Sequence, residues 1–145
     1  MLLDKSDITQ LIPHAGVMCL LDGVLGWDAS SIRCVATGHR DANNPLRTDG
    51  RLPVFCGIEY AAQAMAVHGG LAGAAGQRPR AGYLASVRNV VCAVDRLDTL
   101  DDALIVTAES LIGDDSRIVY RFDVEHSGRS VLSGRAAVIL DIGPL

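Results

Sequence analysis

Aromatic residues are scarce in this sequence, and charge of neither sign dominates it. The 145 residues include two Phe, one Trp and three Tyr, so the core has to be built mainly from Val, Leu, Ile and Ala. The formal net charge of −4 argues against general nucleic-acid binding. A chain of this length is long enough for one real core and too short for two, so we expect a single domain over residues 1–145.

The cysteines lack the spacing of a metal site or of a disulfide framework. Cys19, Cys34, Cys56 and Cys92 form no C-x-x-C pair and lie among apolar neighbours. We therefore expect reduced core thiols in a cytoplasmic protein. The N-terminal residues lack a basic start followed by an apolar run and a small-residue cleavage site, so secretion is not expected. No ligand cluster indicates a metal, and no organic cofactor is expected.

Charge is also almost absent from the middle of the chain, where Glu59 is the only charged residue between positions 51 and 78. The residues around it are mostly Ala, Gly and larger apolar types, which predicts a long helix over 54–76. A helix that is apolar on every side is normally wrapped by the rest of its domain. Weakly apolar Ala and Gly, interrupted by polar side chains, do not favour a membrane span.

A lone carboxylate in such a helix must find a partner, shift its pKa upward, or cost several kcal/mol. We therefore predict that Glu59 is buried and faces a cavity, where burial would suit it to proton transfer. A structural alternative stays open. An acidic residue within the first two turns of a helix is favoured by the helix dipole, whatever its chemistry.

The remaining elements predict an α+β fold. A short helix is expected over residues 5–11 with Ser6 as its cap. Alternating and apolar runs predict strands at 19–27, 32–37, 82–94, 104–112, 118–125 and 132–140. Two strands, one buried helix and a meander of four strands fit an antiparallel sheet that curls around a single central helix.

Two segments of the chain have a recognisable pattern. Residues 11–24 are Leu-Ile-Pro-His-Ala-Gly-Val-Met-Cys-Leu-Leu-Asp-Gly-Val, and the start of the predicted helix contains Pro53, Glu59, Ala62 and Gln63. The first segment resembles the L-x-P-H-R-x-P-h-L-L-h-D-x-V motif (h, hydrophobic) of the hot-dog-fold β-hydroxyacyl-acyl-carrier-protein dehydratases, and the second matches the P-G-x-x-x-x-E-A-x-A-Q helix start of the same family. Two shorter segments, Asn-Pro-Leu and Gly-Ile-Glu-Tyr-Ala-Ala-Gln-Ala-Met-Ala, resemble those of the dehydratase-like proteins of aryl-polyene pigment clusters.

One catalytic position of the family is changed. The family's H-F-P-G histidine falls on Pro45, so another histidine has to serve if the chain is an enzyme. His14, in the Pro-His motif, is favoured over His39, which begins the loop before the helix. On a helix His68 points about 180° away from Glu59, so we expect it to be a packed residue. We expect His126 to be a solvated turn residue.

The resemblance implies dehydration of a 3-hydroxyacyl thioester in fatty-acid-like or polyene lipid synthesis. A neutral histidine would take the α-proton, and Glu59 would protonate the leaving hydroxyl. The N–H groups of Cys56 and Gly57 would receive the thioester oxygen. Gln63 would orient Glu59, with Gly70 farther along a narrow acyl channel. The alternative for these small residues, compatible with the first, is that they let the helix pack closely on the sheet or on a partner helix. A hot-dog thioesterase and a non-catalytic subunit of a related dehydratase remain the alternatives.

Two partners are expected. The first is an acyl carrier protein with its acyl-phosphopantetheine. Residues 29–94 carry a balance of +4 while the remainder carries −8, so Arg47, Arg51, Arg78 and Arg80 are predicted to attract an acidic carrier. The second is another hot-dog subunit, either a copy of this chain in a homodimer or higher oligomer, or a different chain, because an open sheet has two edges to cover.

Overall fold

Seven strands form one antiparallel sheet in the order β1-β2-β3-β5-β6-β7-β4. This computed structural model describes residues 1–12, 18–72, 82–114 and 116–140. The strands are β1 (Leu3–Asp4), β2 (Gly23–Trp27), β3 (Ser31–Ala36), β4 (Gly82–Cys92), β5 (Leu104–Gly113), β6 (Arg117–His126) and β7 (Arg129–Leu140). The sheet curves round one long helix, which is the predicted α+β arrangement.

The two helices differ from their predicted bounds. Helix α1 covers Lys5–Thr9, and its cap is Asp4 in a reciprocal pair with Asp7, where the sequence had suggested Ser6. Helix α2 covers Gly57–Ala72 and follows a single 3₁₀ turn at Val54–Cys56. It packs against β3, β5 and β6. Among the described helices, none is long and apolar enough to cross a membrane.

The predicted four-strand meander is wrong at its first strand. β5, β6 and β7 do follow one another, but β4 pairs with β7 and β5 pairs with β3. Among the described strands, β4 is therefore the last one on its side of the sheet. The chain crosses between β4 and β5 through residues 93–103, so β3 and β5 become neighbours and cover the helix with their inward faces.

The core lies between α2 and the inward face of the sheet. On β6, Tyr120, Phe122 and Val124 are at most 2% exposed, which confirms the period of two read from that strand. Between β6 and β7, Ser127 and Gly128 both have positive φ, as a tight two-residue hairpin of this twist requires. Of the cysteines, Cys19 and Cys34 are buried, but Cys92 is exposed at the end of β4, so it is not the core thiol that we predicted.

A buried histidine ties the far end of α2 to the sheet. His68 is 3% exposed, and its Nε2 donates to the Asp28 carbonyl at 3.0 Å. In the neutral ring Nδ1 must then accept, and it lies 2.9 Å from the Tyr120 hydroxyl, which donates. Burial raises the pKa of Tyr120 to about 12 and keeps that donor protonated.

The start of α2 is held by the segment that follows β4. Asp98 accepts from the Leu52 N–H at 2.9 Å and from the Arg96 guanidinium, and Val54 N–H donates to the Asp95 carbonyl at 3.0 Å. The Asp98 side chain is 5% exposed. These bonds fix the two residues on either side of Pro53, and so they set where the helix begins.

Removing the Tyr120 hydroxyl tests the His68 anchor. Tyr120→Phe leaves the buried His68 Nδ1 without a donor, and we expect a loss of about 1–3 kcal/mol in the free energy of unfolding. Urea denaturation measures it. Tyr83→Phe is the matched control, because Tyr83 is 60% exposed and its variant should unfold like the parent. Equal stability of both variants would contradict the anchor.

Asp98 predicts a pH dependence of stability. Its hydrogen bonds from Arg96 hold the pKa of the carboxyl below its ordinary value of 3.8. A pKa lowered by folding contributes stability above the ordinary value, and this stability is lost as pH falls toward the lowered one. Asp98→Asn should therefore lower the urea midpoint at pH 7, with a gap to the parent that narrows below about pH 4. The exposed Asp49→Asn is the control, and a gap that is constant with pH would count against this role.

Candidate active site

Glu59 lies on an open face of α2, so the prediction that it is buried is wrong for the single chain. Its side chain is exposed, as are Ala66 and Gly69 farther along the same face, and Ala62 is half-buried. Phe55, one turn before Glu59, is 61% exposed. The physical reason is that one sheet covers one side of a helix. The stripe at 55, 59, 62, 66 and 69 follows the helical repeat on the uncovered side. We call it the open stripe.

Two neighbours at the start of α2 define the surroundings of Glu59. The Cys56 thiol is half-buried; burial raises its pKa, and the negative charge of Glu59 raises it further. Cys56 precedes Glu59 by three residues, about one helical turn. Gly57 is buried so tightly that a Cβ there would lie 2.6 Å from the Leu132 side chain. Gly57 is therefore the residue that lets the helix approach β7.

The N–H groups expected to receive the thioester oxygen already have acceptors. Cys56 N–H donates to the Pro53 carbonyl at 3.0 Å, and Gly57 N–H donates to the carbonyls of the 3₁₀ turn. The cause is the tight turn before the α-helix, whose i→i−3 bonds use donors that a plain helix start would leave free. In this state neither group is free to bind a substrate oxygen.

Gln63 does not orient Glu59, although one helical turn separates them. It is 3% exposed; its carbonyl oxygen accepts from the Leu20 N–H at 2.8 Å, and its amide nitrogen donates to the Met18 carbonyl at 2.7 Å. Both ends of the amide are therefore used to hold residues 18–20. Gly70 packs beside Leu11 at ordinary contact distance, which fits close packing of the helix.

The histidines fall into different surroundings. His14 lies in residues 13–17, outside the described residues, directly before the segment that Gln63 holds. His39 is 1% exposed, and its Nε2 donates to the Leu100 carbonyl at 2.9 Å. Its Nδ1 has no hydrogen-bond partner within the described part of the chain. Burial is the main cause that lowers the pKa of His39, which favours a neutral ring.

His68 is packed, as predicted, but His126 is not a free turn residue. Its side chain is 16% exposed, and Nε2 lies 3.0 Å from the Asp101 carboxylate. The same nitrogen is 3.2 Å from the Asp102 N–H. His126 therefore braces the loop before β5, and this contact between distant turns could not be read from local sequence.

The four arginines predicted to attract a carrier do not share one environment. Arg47 is half-buried, and its guanidinium donates to the Gly50 and Arg40 carbonyls at 2.9 and 2.8 Å, so it braces its own loop. Arg51 is exposed. Arg78 and Arg80 lie outside the described residues. Of the described pair, Arg51 alone keeps the solvent-facing position that docking requires.

Sequence reasoning missed a buried polar pair next to Glu59. Tyr60 is fully buried, and its hydroxyl accepts from the Asn44 side chain at 3.0 Å. Asn44 also donates to the Gly38 carbonyl, and so it joins the loop to the helix. Together with Lys5 and Asp22, the pair lines a cavity of about 450 Å³. The available signal was an Asn immediately before Pro45, at the position where the family resemblance places a functional loop.

Comparison with solved structures gives the same fold. A chain of the dehydratase heterocomplex ApeI:P from Xenorhabdus doucetiae aligns with a TM-score of 0.77 and 25% identity, over 92% of this chain and 90% of that one. Thioesterase PA1618 of Pseudomonas aeruginosa, in a mutant form, aligns at 0.67 with 11% identity, over 97% and 95%. Thioesterase HI1161 of Haemophilus influenzae aligns at 0.67 with 13% identity, over 97% and 95%.

The two thioesterases support the fold alone, because their identity to this chain is low. No curated protein matches the chain. The family comparison rests on sequence and is specific to one family: the family model for ApeP-like proteins, described as ApeP dehydratase, matches residues 6–141. That span includes both motifs, the whole of α2 and nearly all of the sheet. The chain belongs to the ApeP-like dehydratase family.

Proposed function

We propose that this chain is a subunit of a dehydratase that acts on 3-hydroxyacyl thioesters carried on acyl carrier protein, with Glu59 in the active site. The observation that carries the proposal is the position of Glu59. It is the only charged residue on the open stripe, and it follows the exposed Phe55 by one turn. Membership of a dehydratase family gives that carboxylate a reaction to serve.

The reaction is an elimination that needs one base and one acid. The base removes the α-proton, which the thioester carbonyl makes acidic, and the electron pair forms the new C=C bond. The C–O bond to the hydroxyl breaks, and the oxygen takes a proton from Glu59 to leave as water. A carboxylic acid does this best when burial raises its pKa, so the exposed Glu59 needs a cover.

A second hot-dog subunit is the cover that we propose. The open stripe and the outer edge of β4 both expose large apolar side chains and are uncovered within the described residues, with Phe55 61%, Tyr83 60% and Val91 62% exposed. An unpaired edge strand of this length is a ready site for another strand. A heterocomplex among the similar structures supports a partner of the same fold.

His14 is the base that we favour. It lies in the Pro-His motif, and Gln63 fixes the residues that follow this motif through the bonds to Met18 and Leu20. His39 is the weaker candidate, because its ring is buried and its Nε2 is committed to the Leu100 carbonyl. A buried amide that holds the neighbouring backbone is a common way to position a catalytic loop.

The carrier and the pathway class follow from the same reasoning. Acyl carrier proteins are acidic, and the exposed Arg51 lies on the loop before α2, near Glu59 in sequence. A role in fatty-acid-like or polyene lipid synthesis fits a dehydratase that works on chain-bound intermediates. This assignment rests on the dehydratase family and on the family resemblance of the two motifs.

Glu59→Gln is the test of the catalytic role. The amide keeps the size of the side chain but cannot donate an acidic proton, so turnover should fall by a factor of roughly 100 or more. The substrate is a 3-hydroxyacyl carrier protein, and mass spectrometry follows the loss of water, with the hot-dog partner co-purified where one exists. Glu109→Gln, on an exposed carboxylate of β5, is the matched control and should keep full turnover.

The same assay separates the rival functions. Loss of the whole acyl group, without loss of water, would identify a thioesterase. Loss of water that is unchanged by Glu59→Gln would remove Glu59 from the chemistry and leave the chain as a supporting subunit of a dehydratase whose active residues come from the partner. Circular dichroism of each variant establishes that the fold is retained.

A further inference from the structure

Three arginines stand side by side on adjacent strands of the sheet. Arg121 on β6 is paired directly with Arg135 on β7, and Arg135 is paired directly with Arg88 on β4. All three side chains are exposed. Directly paired residues point to the same face of a sheet. The three guanidiniums therefore form one row across three strands, which we call the arginine row.

The arginine row lies on the outer face of the sheet, away from α2. The residues that alternate with it, Tyr120 and Phe122 on β6 and Ala136 on β7, are at most 2% exposed and belong to the core. The outer face also carries carboxylates near the β6 and β7 end of the row, since Asp123 and Glu125 line one cavity with Arg121 and Arg135. Arg121 lies 3.2 Å from the Glu109 carboxylate on β5. For Arg135 and Arg88, no carboxylate lies within ion-pair distance among the described residues.

Arg88 is the least compensated member of the row. Its flanking pairs on the outer face are Ser86 with Ala137 on one side and Val91 with Ser133 on the other, and none of these residues is charged. Like charges placed directly opposite each other destabilise a sheet. The fold thus carries a repulsive element that ends on β4, the edge strand.

The position of the row at an open edge decides what it does to a partner. A strand that pairs with β4 places one of its own residues beside each β4 residue, and so it extends the arginine row by one side chain. When two copies of this chain overlap antiparallel along the whole of β4, the two Arg88 side chains lie diagonally across the seam, about 7–8 Å apart. The rows of both copies then meet at the seam and bring their arginines together. A partner with a carboxylate there would instead neutralise the row.

We propose that Arg88 makes β4 select a different hot-dog chain over a second copy of this one. The favoured partner presents Asp or Glu on the outer face of its own edge strand, opposite or diagonal to Arg88. The inference rests on the proposed function only in that a second hot-dog subunit pairs along β4. Beyond that, the inference specifies that the partner subunit carries a negative charge on its edge strand. Selection arises from attraction to the acidic edge and from repulsion between copies, and both are needed for specificity.

A charge swap within this chain tests the proposal without any other protein. Arg88→Glu converts one copy into a chain with an acidic edge, and mass-tagged Arg88→Glu and parent chains are mixed and examined by native mass spectrometry. At about 0.01 M salt, where charges act over tens of ångströms, the mixed dimer should exceed its statistical share by about 3-fold or more. The excess should disappear near 1 M salt, because the charges are then screened.

Sedimentation of each chain alone gives the second readout. Parent copies should associate more weakly than Arg88→Glu copies at low salt, and added salt should strengthen the parent's self-association. Arg33→Glu is the matched control. It makes the same charge change on the exposed outer face, but on β3, at the other side of the sheet from β4, and its mixtures should stay statistical.

Three results would overturn the proposal. They are a statistical share of mixed dimers at low salt, a parent that pairs with itself as tightly as Arg88→Glu does, and an absence of dimers in every mixture. Thermal melts establish that the variants are folded. These results do not decide the outcome of the dehydration assay, because that assay measures the effect of Glu59→Gln on turnover and does not involve Arg88, which lies on the outer face. The two proposals therefore fail separately.

Discussion

The structure depends on one constraint: the central helix is apolar on all sides, but the sheet of one chain covers only one of its sides. Helix α2 has few polar residues on any side, but the described strands pack against one side of it, through β3, β5 and β6. Apolar helix surface that stays in water forfeits the stabilisation of burial, about 25 cal/mol per Å². The open stripe and the outer edge of β4 are therefore two surfaces that the described part of a single chain leaves uncovered.

Much of the fold was predictable because it depends on local periodicity. The alternation of Tyr120, Phe122 and Val124, the Ser127–Gly128 turn and the long apolar helix each reflect residues close in sequence. The place of β4 was not predictable in this way, since pairing with β7 rather than β5 is a choice between distant strands. The bonds of Gln63 to Met18 and Leu20 span more than forty positions, and helical spacing alone could not reveal them.

For the candidate site too, the properties that depend on distant parts of the chain could not be predicted from local sequence. Sequence alone singles out Glu59 as a candidate, because it is the one carboxylate in an apolar helix, but its exposure depends on how much of the helix one chain can cover. The N–H groups of Cys56 and Gly57 were expected to be free. They are not, since the chain enters α2 through a 3₁₀ turn that Asp98 and Arg96 hold in place from another part of the fold.

Pairing and chemistry meet at β4. If one partner covers the edge strand and the open stripe together, then the charge that chooses the partner, at Arg88 on the outer face, also decides which chain surrounds Glu59 on the inner face. A carboxylate becomes a useful acid at neutral pH only when its surroundings disfavour its charge. The charge of Arg88 at the subunit boundary would thus influence the acidity of Glu59, which lies on the other side of the same sheet. Under this proposal no conformational switch is needed, because binding of the partner would itself assemble the environment of Glu59.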